Sequence, residues 1–147
     1  MTIARTLGWI VLAMLATSGC ADAPAAGSAP IAVVPMNQQW TLDRIGAWGM
    51  PASIEISPGV SRRISGGSLV LHDDWTWGLA YDYRDTSATS DTQGAFSASG
   101  GYTIYGGDSV EVALHDDQGG TTYFARVNAD DTIDLTVGPY TFHLITK

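Results

Sequence analysis

The sequence predicts an all-β protein in which an antiparallel meander of about eight or nine strands closes into a small barrel. Apolar residues between positions 39 and 147 recur at every second position, which is the period of a β-strand. Clusters of Gly, Asp, Asn or Ser interrupt this pattern at intervals of about eight to twelve residues. The chain also holds 17 Gly, 5 Trp and 6 Tyr in 147 residues, which favours turns and aromatic strands over a helical bundle.

Residues 1–19 have the pattern of a secretion signal. Arg5 precedes an apolar run over residues 7–16, which is shorter than the ~20 residues that a membrane-spanning helix needs. Small residues then lead to Cys20, the single cysteine of the chain. This segment resembles the lipobox of bacterial lipoproteins, and the resemblance implies cleavage before Cys20 and acylation of that residue. The alternative is a plain signal peptide with an incidental thiol, but a lone cysteine forms no internal disulfide, and lipid attachment gives it a role.

Residues 20–38 are predicted to form a lipidated, disordered tether. Six Ala and three Pro fall between Ala21 and Met36, a composition that buries too little apolar surface to fold. Several acyl chains on Cys20 would give stable attachment to a membrane. Because Ala21 and not Asp follows the cysteine, the resemblance to lipoprotein sorting implies the periplasmic face of the outer membrane.

The β-barrel domain is predicted to span residues 39–147. Its first strand carries Trp40, Leu42 and Ile45. A short second segment around residues 54–56 is broken by Pro and Gly at 58–59, and a third strand starts over residues 66–71. After a long aromatic strand and a polar loop, further strands are predicted over residues 95–105, 109–115, 121–128, 132–137 and 140–146.

The aromatic strand gives the strongest pattern in the chain. Large side chains occupy alternate positions and are predicted to share one face: Trp75, Trp77, Leu79, Tyr81 and Tyr83. The simplest interpretation is that they form the barrel core. The alternative is that Trp75, Trp77, Tyr81 and Tyr83 line a pocket for an apolar or sugar ring, because ligand sites are concave and rich in aromatic residues. The polar residues 84–93 that follow are predicted to form a loop longer than a hairpin requires.

The sequence contains few residues with the spacing that catalysis or metal binding requires. The segment Leu71-His-Asp-Asp recurs as Leu114-His-Asp-Asp, and His with carboxylates could ligate a metal. Because both copies end a predicted strand, we favour hairpins in which Asp side chains bond to nearby backbone. His143 is out of phase with its apolar neighbours and is predicted to face outward. No nucleophile–base pair, metalloprotease motif or phosphate loop is visible, so the sequence predicts no enzyme, no metal and no cofactor.

The charge balance argues against one class of partner. Seven Lys and Arg stand against 15 Asp and Glu, which gives a formal net charge of −8. A nucleic-acid-binding surface needs a basic patch to neutralise phosphates. We therefore expect no nucleic-acid partner.

Several strand-and-turn motifs carry a family resemblance: Trp40-Thr-Leu, Gly67-Ser-Leu-Val-Leu, Trp75 with residues 81–84, Gly101-Tyr-Thr-Ile-Tyr-Gly, Thr121-Thr-Tyr and Thr132-Ile-Asp-Leu-Thr. Together they resemble the lipocalin-like barrels of small bacterial envelope lipoproteins. The resemblance implies a non-enzymatic, lipid-anchored protein whose barrel binds a small hydrophobic or amphipathic ligand.

Two other functions stay open. The first is a protein-binding module, such as an inhibitor of lysozyme or a protease, which acts through loops that include residues 84–93. An acidic surface would attract a basic enzyme through long-range electrostatics. The second is a purely structural spacer. Ligand binding places the functional residues inside the barrel, whereas inhibition places them in the loops.

Overall fold

The structure is a computed structural model that describes residues 34–106 and 109–147. The predicted signal peptide, Cys20 and most of the tether lie outside the described residues. Within the described ranges every regular element is a β-strand, so the all-β prediction is confirmed. None of the segments described here is a helix that is long and apolar enough to span a membrane.

Ten strands form one antiparallel sheet, and eight of them close into a barrel. In chain order the strands are β1 (Gln38–Ile45), β2 (Trp48–Gly49), β3 (Ala52–Ser57), β4 (Val60–Leu71), β5 (Thr76–Thr86), β6 (Asp91–Tyr105), β7 (Val110–Asp116), β8 (Thr122–Val127), β9 (Ile133–Val137) and β10 (Tyr140–Thr146). Each strand from β4 to β9 pairs with the next strand in the chain, and β1 closes the ring by pairing with both β10 and β4. The predicted closed barrel is confirmed.

The core consists of inward-facing residues stacked in levels across the strands. One level joins residues that are direct partners in neighbouring strands: Leu42, Leu144, Ile133, Val127 and Val110. All five are buried, and burying each such side chain stabilises the fold by about 1.5–3 kcal/mol. Trp40, Trp77 and Phe142 are the largest fully buried side chains, so aromatic rings fill much of the interior.

Strand β4 is longer than predicted. It starts at Val60 and not in the region of residues 66–71, because Gly59, at φ +76°, turns the chain directly from β3 into β4. The first half of β4 pairs with β3 and its second half with β1. A bulge between Ile64 and Gly66 joins the two halves. The polar residues 61–63 hide the alternation in the first half, which is why the sequence pattern missed it.

The prediction that Trp75 belongs to the inward face of the aromatic strand is wrong. Trp75 lies in the turn before β5, with φ +66°, and is 54% exposed. Backbone hydrogen bonds from His72 N to Thr76 O (2.8 Å) and from Trp75 N to His72 O (3.3 Å) close this turn. Trp77 and Tyr81 do face inward as predicted, and Tyr83 is half-buried.

The predicted long loop over residues 84–93 is also wrong. Strand β5 continues to Thr86 and β6 begins at Asp91, which leaves a four-residue turn closed by a hydrogen bond from Ser87 N to Ser90 O (2.8 Å). An ion pair between Arg84 and Asp91 joins the two strands. The outer ends of this hairpin are mostly polar, since their side chains are largely in contact with solvent. Because these residues are polar, the sequence pattern predicted a loop here.

Candidate functional site

A cleft opens at the end of the barrel where the β3–β4 and β9–β10 hairpins meet. We call it the mouth. Its cavity volume is about 200 Å³, and it is lined by Ile54, Glu55, Ile56, Arg62, Tyr81, Val137, Gly138, Pro139, Tyr140 and Phe142. Tyr81 is only 7% exposed and Phe142 only 1% exposed, so the mouth reaches the buried aromatic core.

One hydrogen bond fixes the width of the mouth. The hydroxyl of Tyr140 on β10 donates to the backbone carbonyl of Glu55 on β3 over 2.6 Å. These residues are 85 positions apart in the chain. The bond therefore fastens the β9–β10 hairpin to the side of β3, with the apolar side chains of Ile54 and Ile56 along one wall.

Packed rings form the floor of the mouth. The Tyr81 ring stacks on Phe96 with 4.7 Å between centroids and meets the Phe142 ring edge-on at 5.8 Å. Such pairs stabilise each other beyond their burial, by about 0.5–1.5 kcal/mol. Burial also raises the pKa of Tyr81, so its hydroxyl stays neutral. The floor is thus a fixed apolar surface with one neutral hydroxyl.

Arg62 places a guanidinium group at the mouth. Its Nε and Nη2 atoms each donate to a carboxylate oxygen of Asp85 over 2.7 Å, and its Cζ lies 3.8 Å from the centroid of the Tyr83 ring. The bond to Asp85 holds the pKa of Arg62 above its ordinary value, and the same bond lowers the pKa of Asp85. Asp85 accepts from Nε and Nη2 and leaves Nη1 of Arg62 outside this pair. That nitrogen can donate to a ligand.

The four predicted ligand-binding residues do not meet in one pocket. Tyr81 lies in the floor of the mouth, and Tyr83 lies beneath Arg62. Trp75 and Trp77 line a separate groove at the other end of β5. Trp77 is 1% exposed and its indole N–H lies 3.1 and 3.2 Å from two backbone carbonyl oxygens, so it belongs to the core.

Arg62 was not predicted to be a functional residue, although the sequence around it contains a pattern that points to it. Val60, Arg62 and Ile64 occupy alternate positions, which places a cation in the same phase as an inward apolar residue. An arginine in that phase marks either a partnered buried charge or a binding site. The signal was lost because the third strand was predicted to start after these residues.

The repeated Leu-His-Asp-Asp segments form hairpin ends, as the favoured interpretation predicts. Asp74 accepts a hydrogen bond from the backbone N–H of Thr76 over 3.1 Å. Asp116 accepts bonds from Gln118 N and Gly119 N, each over 3.0 Å. Within residues 34–106 and 109–147, no group of three or more His, Cys, Asp or Glu side chains is placed to hold a metal ion.

His143 lies on the outer face of β10, as predicted. Its Nδ1 atom lies 2.6 Å from a carboxylate oxygen of Asp134 on β9. Burial raises the pKa of Asp134, but hydrogen bonds from His143 and Asn128 outweigh that effect and hold the pKa below its ordinary value. This pair joins two barrel strands and does not line the mouth.

Comparison with models of known protein families, with curated proteins and with solved structures found no match.

Proposed function

We propose that this protein is a non-enzymatic, lipid-anchored lipoprotein of the cell envelope whose lipocalin-like barrel binds a small amphipathic molecule in the mouth. The observation that carries the binding function is the position of Arg62, which lies at an apolar cleft floored by Tyr81 and Phe142. The anchor is the acylated Cys20 that the sequence motif predicts, with the outer membrane as the expected location.

The mouth offers a ligand two kinds of contact. An apolar chain would pack against Ile54, Val137 and the aromatic floor, and would gain about 25 cal/mol for each Å² removed from water. A polar head would accept a hydrogen bond from Nη1 of Arg62. Because Asp85 and the Tyr83 ring already hold the guanidinium in place, little side-chain entropy is lost on binding.

The size of the mouth limits the ligand. Its volume of about 200 Å³ is below the roughly 300–1,000 Å³ of pockets that enclose drug-sized molecules. The mouth thus fits a short chain or the end of a longer one. We expect fatty acids or lipids of moderate length to insert only their head and the adjacent carbons.

The proposal includes no catalytic step, metal or cofactor. Glu55 is the one carboxylate in the lining of the mouth, and one of its oxygens lies 3.3 Å from the backbone N–H of Gly59. No histidine, serine or cysteine lies beside it in that lining to act as nucleophile or base. The lining supports binding alone.

We do not propose the alternative function, inhibition of a hydrolase. One loop through which it could act was expected over residues 84–93, but these residues belong to a hairpin with a short turn. The described hairpin ends offer no comparably long loop to insert into an enzyme cleft.

The test is a binding titration followed by NMR of Ile and Val methyl groups, with the full chain in phosphatidylcholine nanodiscs. We expect octanoate to shift the methyl signals of Ile54, Ile56 and Val137 and to leave the core residue Val110 unchanged. Octylamine should bind more weakly, because its ammonium group cannot accept a hydrogen bond from Arg62.

A matched pair of variants makes the test specific. Arg62→Gln should weaken octanoate binding by about tenfold or more, the effect of losing a hydrogen bond to a charged group. Arg63→Gln should bind as the wild type does, because Arg63 is exposed and lies outside the mouth. Equal affinities for the wild type and Arg62→Gln, with the fold intact by circular dichroism, would exclude the proposed role of Arg62. Methyl signals that fail to move would exclude the mouth as a binding site.

A further inference from the structure

A second groove crosses the outer wall of the barrel beside the β4–β5 turn. We call it the Trp75 groove. Trp75 and Asp74 stand at the turn, Asp117 stands on the β7 side, and Gly78, Ser99 and Gly101 lie between them. Its volume is about 740 Å³, within the roughly 300–1,000 Å³ typical of ligand sites. It shares no lining residue with the mouth.

Trp75 is exposed but firmly held. Its carbonyl accepts a hydrogen bond from Tyr102 N over 2.9 Å, and its own N–H donates to His72 O. The indole ring packs against the Tyr102 ring, with 5.5 Å between centroids and an angle of 40°. A bulky residue at φ +66° is a conformational outlier, and outliers of this kind cluster at functional sites. The turn thus presents a rigid, flat aromatic surface that the core does not need.

Two of the three glycines in the groove, Gly78 and Gly101, have no packing explanation. A Cβ on Gly78 would meet no atom within 4 Å, and one on Gly101 would meet only the Trp75 carbonyl at 3.9 Å. Gly100 differs, because its Cβ would lie 2.0 Å from the His115 carbonyl and the fold itself excludes a side chain there. Glycine weakens a strand, and the close approach of a ligand is one of the reasons for which a strand contains it. Gly78 and Gly101 keep the groove open.

Two carboxylates give the groove strong hydrogen-bond acceptors, beside the side chains of His72, Thr76 and Ser99. Hydrogen bonds from Thr76 lower the pKa of Asp74, so that carboxylate is ionised at neutral pH. Asp117 adds a second carboxylate, and no Lys or Arg lies among the described residues of the lining. This charge repels phosphates, carboxylates and the headgroups of anionic lipids. It suits an uncharged ligand that has one apolar face and several hydrogen-bond donors on its rim.

We propose that the Trp75 groove binds a neutral saccharide, with the C–H face of one pyranose ring stacked on Trp75 and its hydroxyl or amide groups donating to Asp74 and Asp117. An organic cation would also be attracted to an indole face. Sites for quaternary ammonium ligands, however, are cages of several aromatic faces, whereas here the neighbouring Tyr102 is buried and leaves only the Trp75 face free.

The probes are the tetramer of N-acetylglucosamine and maltotetraose, each titrated into the full chain in phosphatidylcholine nanodiscs. Indole N–H signals in a ¹H–¹⁵N spectrum report on each tryptophan. Trp48 is 56% exposed, as Trp75 is 54% exposed, and it lies outside the groove, so it serves as the internal control. We expect at least one of the two saccharides to shift the Trp75 signal and to leave Trp48 and the buried Trp40 unchanged.

Two pairs of variants separate the groove from the fold. Trp75→Ala should abolish the binding, and Trp48→Ala should retain it. Gly78→Val should fill the groove and weaken binding about tenfold or more. Gly49→Val should leave binding unchanged, because Gly49 does not line the groove. The two variants are matched, since a Cβ at either glycine meets no atom within 4 Å. Circular dichroism of each variant shows whether the barrel is intact.

Three results would overturn the proposal. The first is saccharide binding that survives Trp75→Ala, or survives Gly78→Val in an intact barrel. The second is no shift of the Trp75 signal with either saccharide at millimolar concentration. The third is a shift with tetramethylammonium but with neither saccharide, which would identify an organic-cation site. None of these affects the mouth, whose ligand is followed at different residues.

Discussion

Trp75 and Trp77 are two positions apart, but their side chains should contribute very different amounts to the free energy of unfolding. Trp77 is 1% exposed, so Trp77→Ala removes an entire buried indole and leaves a cavity. Substitutions of this kind cost about 3–5 kcal/mol. The carbonyls of Gly101 and His115 also lose the indole N–H. Trp75 is 54% exposed, so Trp75→Ala should cost about 1 kcal/mol or less.

Urea unfolding of the full-length protein, followed by far-UV circular dichroism, measures this difference. With a slope of about 2 kcal/mol per molar urea, Trp77→Ala should lower the midpoint by about 1.5–2.5 M, and Trp75→Ala by about 0.5 M or less. If Trp77→Ala does not fold, Trp77→Phe provides the milder test, with an expected loss of about 1–3 kcal/mol from the unpaired carbonyls. Similar midpoints for wild type, Trp75→Ala and Trp77→Phe would refute the reasoning, because Trp77 would then line an open space and not a packed core.

Two further predictions concern the anchor and the mouth. Cys20→Ser should abolish incorporation of labelled fatty acid and partition into detergent, and unchanged labelling would refute lipidation. Asp85→Asn removes the carboxylate paired with Arg62 and should cost about 1–3 kcal/mol at neutral pH. Since the folded-state pKa of Asp85 is lowered, its contribution is fully present above about pH 4 and is lost as pH falls through the lowered value. Urea midpoints of wild type and variant should therefore converge in acid, and a constant gap would contradict the assignment.

The buried side chains of the barrel could be predicted from the sequence wherever a strand has one solvent-exposed face and one buried face. On β9, Ile133 and Leu135 are fully buried, and Asp134 between them faces outward. Phe142 and Leu144 do the same on β10. In such strands the two-residue period directly reports which side chains meet in the core.

The same period misleads where the backbone leaves the barrel wall. Trp75 continues the alternation of Trp77 and Tyr81, but a turn closed by backbone hydrogen bonds comes before the strand begins. The hairpin over residues 84–93 is a strand region that the pattern did not detect. Both of its faces are largely exposed to solvent, so no apolar alternation marks it as strand. Alternation detects burial, and it detects a strand only when one face of that strand is buried.

The mouth was not predicted because one extra residue in β4 decides which arginine faces it. On β4 the inward residues Leu69 and Leu71 have odd numbers, whereas the inward residue Ile64 has an even number. Extending the alternation backwards from Leu71 would therefore point Arg63 inward and Arg62 outward.

The bulge between Ile64 and Gly66 reverses this parity, as one extra residue in a strand always does. The bulge belongs to the pairing of β4 with β5, and its trace in the sequence is that Val60, Arg62 and Ile64 lie out of phase with Leu69 and Leu71. The contrast between Arg62→Gln and Arg63→Gln consequently tests the strand register as well as the ligand. If Arg63→Gln weakened octanoate binding and Arg62→Gln did not, β4 would lack the bulge, and Arg63 would lie opposite Asp85 at the mouth with Arg62 on the outer wall.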